Sequence, residues 1–177
     1  MKIHGFFPGS FSPFHDGHFL LAMHYLEKYK NENFTLEICI SSKNRDNINT
    51  DIIINFIKKL FNNFNNVIIT KCDKSPIKYV YDNTNDKNIK YILLAGNKLE
   101  DDNRNELYEK YFSKFDYIIL NNDIIPFKLD DKEISARNIR SIIKEDKYFE
   151  FVKYYKNILA NSNIKDKDIK KLFKVLK

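Results

Sequence analysis

Two histidines three positions apart, His15 and His18, end a run of aromatic, small and turn-forming residues: Phe6-Phe7-Pro8-Gly9-Ser10-Phe11-Ser12-Pro13-Phe14-His15-Asp16-Gly17-His18. All four histidines of the 177-residue chain, and three of its four glycines, fall within the first 24 residues. Spacing of i,i+3 puts both imidazoles on one helical face. The apolar segment Ile3–Phe7 reads as a buried strand that breaks at Pro8-Gly9, and from Gly17 a helical pattern runs through Phe19, Leu20, Leu21, Met23, Tyr25 and Leu26. The pair is therefore expected where a strand hands over to a helix. The unpaired N–H groups and positive dipole end of such a helix attract an anion, and imidazoles there supply further donors. Phosphate chemistry is the expectation.

Arginine is scarce beside lysine and occurs only at positions 45, 104, 137 and 140. Where lysine is the default cation, an arginine marks a place that needs a planar, bidentate donor for phosphate. Lys43 and Arg45 follow the second strand-like run, where cations can meet a phosphate. The net charge of +6 comes mostly from lysines spread along helices. Nucleic-acid surfaces concentrate arginine among aromatics, so nucleic acid is not the expected partner; the charge by itself assigns no function, though it suits anionic substrates.

The elements that must carry these residues alternate. Strands are read at Ile3–Phe7, Phe34–Ser41, Val67–Thr70, Tyr91–Ala95 and Tyr117–Leu120. Helices are read at Gly17–Lys30, after Thr50 as N-cap, from Ser75-Pro76 to Tyr81, over Asn103–Phe112, after Ser135 as cap, and at Tyr148–Leu159 and Ile164–Leu176. Such alternation implies an α/β fold with a doubly wound, five-stranded parallel sheet and C-terminal helices. One domain spans 1–177, with a core to about 145 and a helical extension over 146–177. Hydrophobic content of 43% suits a globular core. Neither a P-loop nor a dinucleotide glycine motif occurs. A membrane span, a leader peptide and a protein-held metal are not expected. The two cysteines, Cys39 and Cys72, read as buried reduced thiols of a cytoplasmic protein.

The first run also resembles the G-x-F-x-P-x-H-x-G-H signature of the HxGH nucleotidyltransferase superfamily, with Gly9, Phe11, Pro13, His15, Gly17 and His18 at the fixed positions. Ile134-Ser135-Ala136-Arg137-Asn138-Ile139-Arg140 is similar to its second signature, I-S-[ST]-T-x-[IV]-[RK]. Ser135, Ile139 and Arg140 match, while Ala136 and Arg137 replace small hydroxyl residues. The resemblance implies a Rossmann-like fold and transfer of a nucleoside monophosphate to a phosphate-bearing acceptor, with release of pyrophosphate. It implies catalysis by His15 and His18, with Gly9, Ser10, Phe11, Gly17 and Gly96 lining the nucleotide site. Ser135, Arg137 and Arg140 would hold its β- and γ-phosphates, and Lys43, Arg45 and Lys98, the last beside Gly96, would meet the acceptor's phosphate or the leaving pyrophosphate. Mg²⁺ is implied, held mainly by the nucleotide's own phosphates. Histidine at position 15 favours mononucleotide adenylyltransferases or cytidylyltransferases over pantetheine-phosphate enzymes, which usually carry threonine there. Arg140 and the chain length favour adenylyl transfer from ATP to nicotinamide or nicotinate mononucleotide. CTP with a phosphorylated alcohol, a pantetheine-phosphate enzyme and a nucleotide-sensing module stay open, as does a homo-oligomer.

Overall fold

The computed structural model describes residues 1–95, 104–120 and 128–177. Strands β1 (Lys2–Gly9), β2 (Asn33–Ser41), β3 (Val67–Cys72), β4 (Ile89–Leu93) and β5 (Ile118–Leu120) form one parallel sheet in the order β3-β2-β1-β4-β5. Helices α1 (Asp16–Lys28) and α2 (Thr50–Leu60) cover one face. α3 (Pro76–Asp82), after β3, packs against β1 and β2, and α4 (Arg104–Phe112), after β4, against β5. The order reverses between β1 and β4, which makes their carboxyl ends the switch point where ligands enter open α/β sheets. The doubly wound five-stranded sheet read from the sequence is the one observed.

Two apolar clusters explain why the strands read as nearly continuous hydrophobic runs. Phe7, Leu36, Ile38, Ile40 and Ile92 face α1, α2 and the C-terminal helices, while Phe6, Cys39, Leu93, Val80 and Phe112 fill the opposite side. After β5 come a hairpin of β6 (Lys128–Leu129) and β7 (Lys132–Glu133), then α5 (Ala136–Lys144), α6 (Tyr148–Lys153), α7 (Lys156–Asn161) and α8 (Asp166–Leu176). Phe151, Tyr155, Ile158, Ile169 and Phe173 of these last helices share the core of the α1 face. No helix among the described residues is long and apolar enough to cross a membrane.

Several expected boundaries move, each for a local reason. β1 does not break at Pro8 but runs to Gly9. Its pairing with β4 ends at Phe6↔Leu93, so Pro8 lies where β1 has β2 alone as a neighbour, and a missing N–H is tolerated at such an edge. α1 begins at Asp16 with His15 as its N-cap. α2 is capped by Asn49, whose Oδ1 accepts from the Asp51 N–H at 2.9 Å, while Thr50 turns to Asn44. The expected helix over Tyr148–Leu159 is two helices, α6 and α7, broken at Tyr154-Tyr155. The β6–β7 hairpin, absent from the sequence reading, turns on Asp130 and Asp131, both at positive φ.

Candidate active site

The loop after β1 is shaped by one glycine and one strained aromatic. Phe11 has φ 50, a left-handed backbone that costs an aromatic residue roughly 1–3 kcal/mol. Packing over-determines it: its ring meets Phe7 at 5.0 Å, Phe14 at 5.5 Å and His18 at 5.0 Å, edge-on to the imidazole. A Cβ on Gly9 would stand 3.0–3.2 Å from three atoms of that ring. Glycine at position 9 thus lets Phe11 fold back, and Phe11 in turn backs His18.

The loop ends in a cap made of histidines. His15 is the extended N-cap of α1 and fully buried; His18, in the first turn, is half-buried. The Gly17 N–H donates to His15 Nδ1 at 3.1 Å, and the His15 N–H donates to His18 Nδ1 at 3.3 Å, a reciprocal capping arrangement. With both Nδ1 atoms accepting, the neutral rings carry their protons on Nε2. The rings stack with centroids 3.9 Å apart and planes 30° apart. One expectation is corrected here. The first amides of α1 are not left for an anion, because the Gly17 N–H goes to His15 and the Asp16 N–H to the Tyr154 carbonyl at 2.9 Å. Donor chemistry at this helix end resides in the imidazole Nε2–H groups.

Basic residues converge from two other segments. The chain after β2 makes a tight turn at Arg45–Ile48, with Asp46 at φ 50 and Asn47 at φ 63, residue types that tolerate such a backbone. Asn44 Oδ1 fastens this turn to α2 by accepting from the Thr50 N–H and hydroxyl. α5 opens as expected at Ser135, whose hydroxyl accepts from the Asn138 N–H at 3.2 Å. One turn on, Arg140 is buried; its Nη1 donates to the Ser12 carbonyl at 2.8 Å and its Nε pairs with Asp46. Burial, with the nearby charges of Arg45 and Arg137, pulls the Arg140 pKa below its ordinary value against the opposing effect of Asp46. Three of the chain's four arginines therefore gather beside the histidine loop.

Among the remaining site candidates, Ser10 is half-buried at the end of β1, Gly17 is buried in the first turn of α1, and Lys43 and Arg45 are exposed on the turn after β2. Gly96 and Lys98 lie outside the described residues. The sequence reading passed over Asp16 and Asp46. Asp16 Oδ2 accepts from the Asn157 N–H at 2.8 Å and the Asn157 side-chain amide at 3.1 Å, and Oδ1 from the Ile158 N–H at 3.0 Å. Burial raises its pKa, though these bonds pull the other way. A first-turn Asp is ordinary in a helix, so no sequence signal marked this one.

No protein-family model and no curated protein matches the sequence. Among solved structures, the chain is similar to the nicotinic acid mononucleotide adenylyltransferase of Plasmodium falciparum, determined in complex with NaAD. The two share 19% identity over 98% of this chain and 96% of that one, with a TM-score of 0.56. That likeness is one of fold.

Proposed function

We propose that the chain is a single nucleotidyltransferase domain over residues 1–177, transferring AMP from ATP to a phosphate-bearing acceptor of the nicotinate or nicotinamide mononucleotide kind. One observation carries this reading: two stacked imidazoles in Nε2–H tautomers stand beside three guanidinium groups at the switch point of a parallel sheet. Such a concentration of donors and positive charge suits a triphosphate. The full-length likeness to an adenylyltransferase fold supports the same class.

The chemistry is an in-line displacement. An anionic oxygen of the acceptor phosphate forms a bond to the α-phosphorus while the bond to the bridging oxygen breaks, and that electron pair leaves on pyrophosphate. The acceptor is already ionised at neutral pH, so no general base is required. Catalysis rests on positioning and on donors aimed at developing charge. His18 meets the α-phosphate, and His15, locked by the Gly17 N–H, holds the phosphates or orients the nucleophile. Ser10, Gly9 and Gly17 shape the floor of the site. Ser135 and Arg137, at the start of α5, take the β- and γ-phosphates. Phe11 and Arg140 act as supports, the first behind His18 and the second under Ser12. Lys43 and Arg45 face the acceptor's phosphate or the leaving group. This donor set of imidazoles and cations fits phosphate oxygens better than it fits a metal. Mg²⁺ carried on those oxygens would neutralise the triphosphate and the leaving pyrophosphate.

Purified protein given Mg²⁺, ATP and nicotinate mononucleotide should release pyrophosphate, and CTP should not replace ATP. Activity confined to CTP and a phosphorylated alcohol would make the chain a cytidylyltransferase. ATP binding without turnover on any phosphorylated acceptor would make it a nucleotide-sensing module.

A further inference from the structure

The helices over 146–177 look in sequence like an appendage, yet four hydrogen bonds join them to the histidine loop. The Asp16 N–H donates to the Tyr154 carbonyl, and the Asp16 carboxylate accepts three N–H donors from Asn157 and Ile158 at the start of α7. Asp16 stands between His15 and the Gly17 whose N–H fixes the His15 tautomer. It is 3% exposed, and the chain breaks between α6 and α7 at the point where it docks. Its charge is thereby turned into the protein and taken up by α7. Beside this joint the Tyr155 ring packs on Phe151 and Phe56 with no exposed surface, so the α7 end of the tether is anchored in the core.

We propose that Asp16 is the positioning residue of the histidine pair, tying the C-terminal helices to the loop so that α7 sets the register of both imidazoles. This rests on the reading of that pair as the transfer site. A carboxylate clamped by three donors fixes the backbone at position 16. The residues on either side, His15 and Gly17, form the bond that leaves the His15 proton on Nε2. When the clamp goes, the first turn of α1 is free to shift, and the two Nε2–H donors lose their alignment.

The test uses Asp16→Ala and Asp16→Asn in the whole chain, with Leu172→Ala as a control that weakens the C-terminal core at α8 and touches none of the Asp16 bonds. Turnover is measured well below each variant's Tm, and the imidazole nitrogens are followed by NMR, which four histidines make simple to assign. Asp16→Ala should lower kcat roughly 10- to 100-fold with little change in the KM for ATP, the scale of misplaced reacting groups. Its His15 nitrogen signals should move from the Nε2–H pattern toward a mixture. Asp16→Asn, which keeps one acceptor oxygen but turns an N–H₂ toward a buried N–H donor, should fall between Asp16→Ala and the parent in both. Leu172→Ala should lower Tm and leave kcat and the nitrogen signals alone. If Asp16→Ala and Leu172→Ala change kcat and the signals alike, or if Asp16→Ala changes neither, the positioning role is wrong. The NMR arm needs no substrate: a shift in a protein that transfers no nucleotide would overturn the proposed reaction and keep the tether.

Discussion

Two polar clusters sit against the central sheet, one at the carboxyl ends of β1 and β2 and the other inside β2 itself. In the inner cluster Glu37, 6% exposed, accepts from His4 Nε2 at 2.9 Å, from the Thr70 hydroxyl at 2.6 Å and from the Tyr79 hydroxyl at 2.7 Å. Burial drives that carboxyl upward, yet the three donors outweigh it and hold the pKa below the ordinary carboxylate value. Charge and donors close on one another there. In the outer cluster Arg140 pairs with Asp46, with the charges of Arg45 and Arg137 close by, beside a pair of stacked imidazoles. A buried polar group that the protein satisfies itself contributes to stability and uniqueness of the fold. Positive charge and imidazole donors gathered at a switch point suit the anionic partner of the proposed function. The position of each cluster in the fold follows from that difference.

If the two clusters divide the work in this way, damage to one should spare the property that belongs to the other. The largest separation is expected from His18→Ala, which should cut turnover roughly 10²- to 10³-fold, the usual loss for one preorganised donor. Its Tm should fall by only a few degrees, because what is lost is one capping bond and the ring contacts of a half-buried side chain, about 1–2 kcal/mol. A folded His18→Ala protein with near-normal turnover would erase the comparison.

The reciprocal change is Glu37→Ala. It leaves His4, Thr70 and Tyr79 without their acceptor, at a cost of about 3 kcal/mol on the scale of unsatisfied buried groups. Unfolding should occur roughly 6–12 °C lower in a chain of this size, with turnover below the transition unchanged. Acid sharpens the test. A carboxyl whose pKa is lowered by folding contributes stability that is whole above its ordinary value and is lost as pH falls through the folded one. Urea midpoints taken from neutral pH down through that range should fall for the parent and fall less for Glu37→Gln.

A smaller effect probes how the outer cluster is supported. Gly9→Ala sets a methyl 3.0 Å from the Phe11 ring, which is held by Phe7, Phe14 and His18 and cannot yield without moving the imidazole. Turnover should drop by about tenfold, an ordinary result of misplacing a catalytic group, with a lesser change in Tm. Equal turnover would separate the glycine from the site.

The smallest expected effect is on ground-state affinity. Arg137→Thr, at the start of α5, should weaken triphosphate binding roughly tenfold, the scale of one charge-assisted hydrogen bond, as read by calorimetry. Unchanged affinity would confine the binding charge to Arg45 and the histidines.

Much of the outer cluster was legible because its chemistry is local in sequence. Gly9, Phe11, His15 and His18 fall within ten positions, and the shift from an apolar run to helical spacing marks the junction that carries them. Ser135 as cap of α5 was legible for the same reason. The inner cluster was not. Glu37 lies in the run Phe34-Thr35-Leu36-Glu37-Ile38-Cys39-Ile40, where it reads as the polar position of a strand. Its acceptor role depends on His4 and Thr70, each 33 positions away, and on Tyr79, 42 away. Distance also hid the restraints on the loop, since Arg140 reaches Ser12 across 128 positions and Asp16 reaches Asn157 across 141. The break between α6 and α7 carries no glycine or proline; Asp16 docks there through tertiary contact.

Whether the outer cluster transfers a nucleotide is tested most directly by following label from [α-³²P]ATP into product, with Mg²⁺ and nicotinate mononucleotide, for the parent, His18→Ala and Glu37→Gln below their unfolding temperatures. The two-cluster division predicts label in the dinucleotide product for the parent and for Glu37→Gln, with a loss of roughly 10²-fold or more for His18→Ala. Label that never leaves ATP in the parent, or that transfers equally well in His18→Ala, would contradict it.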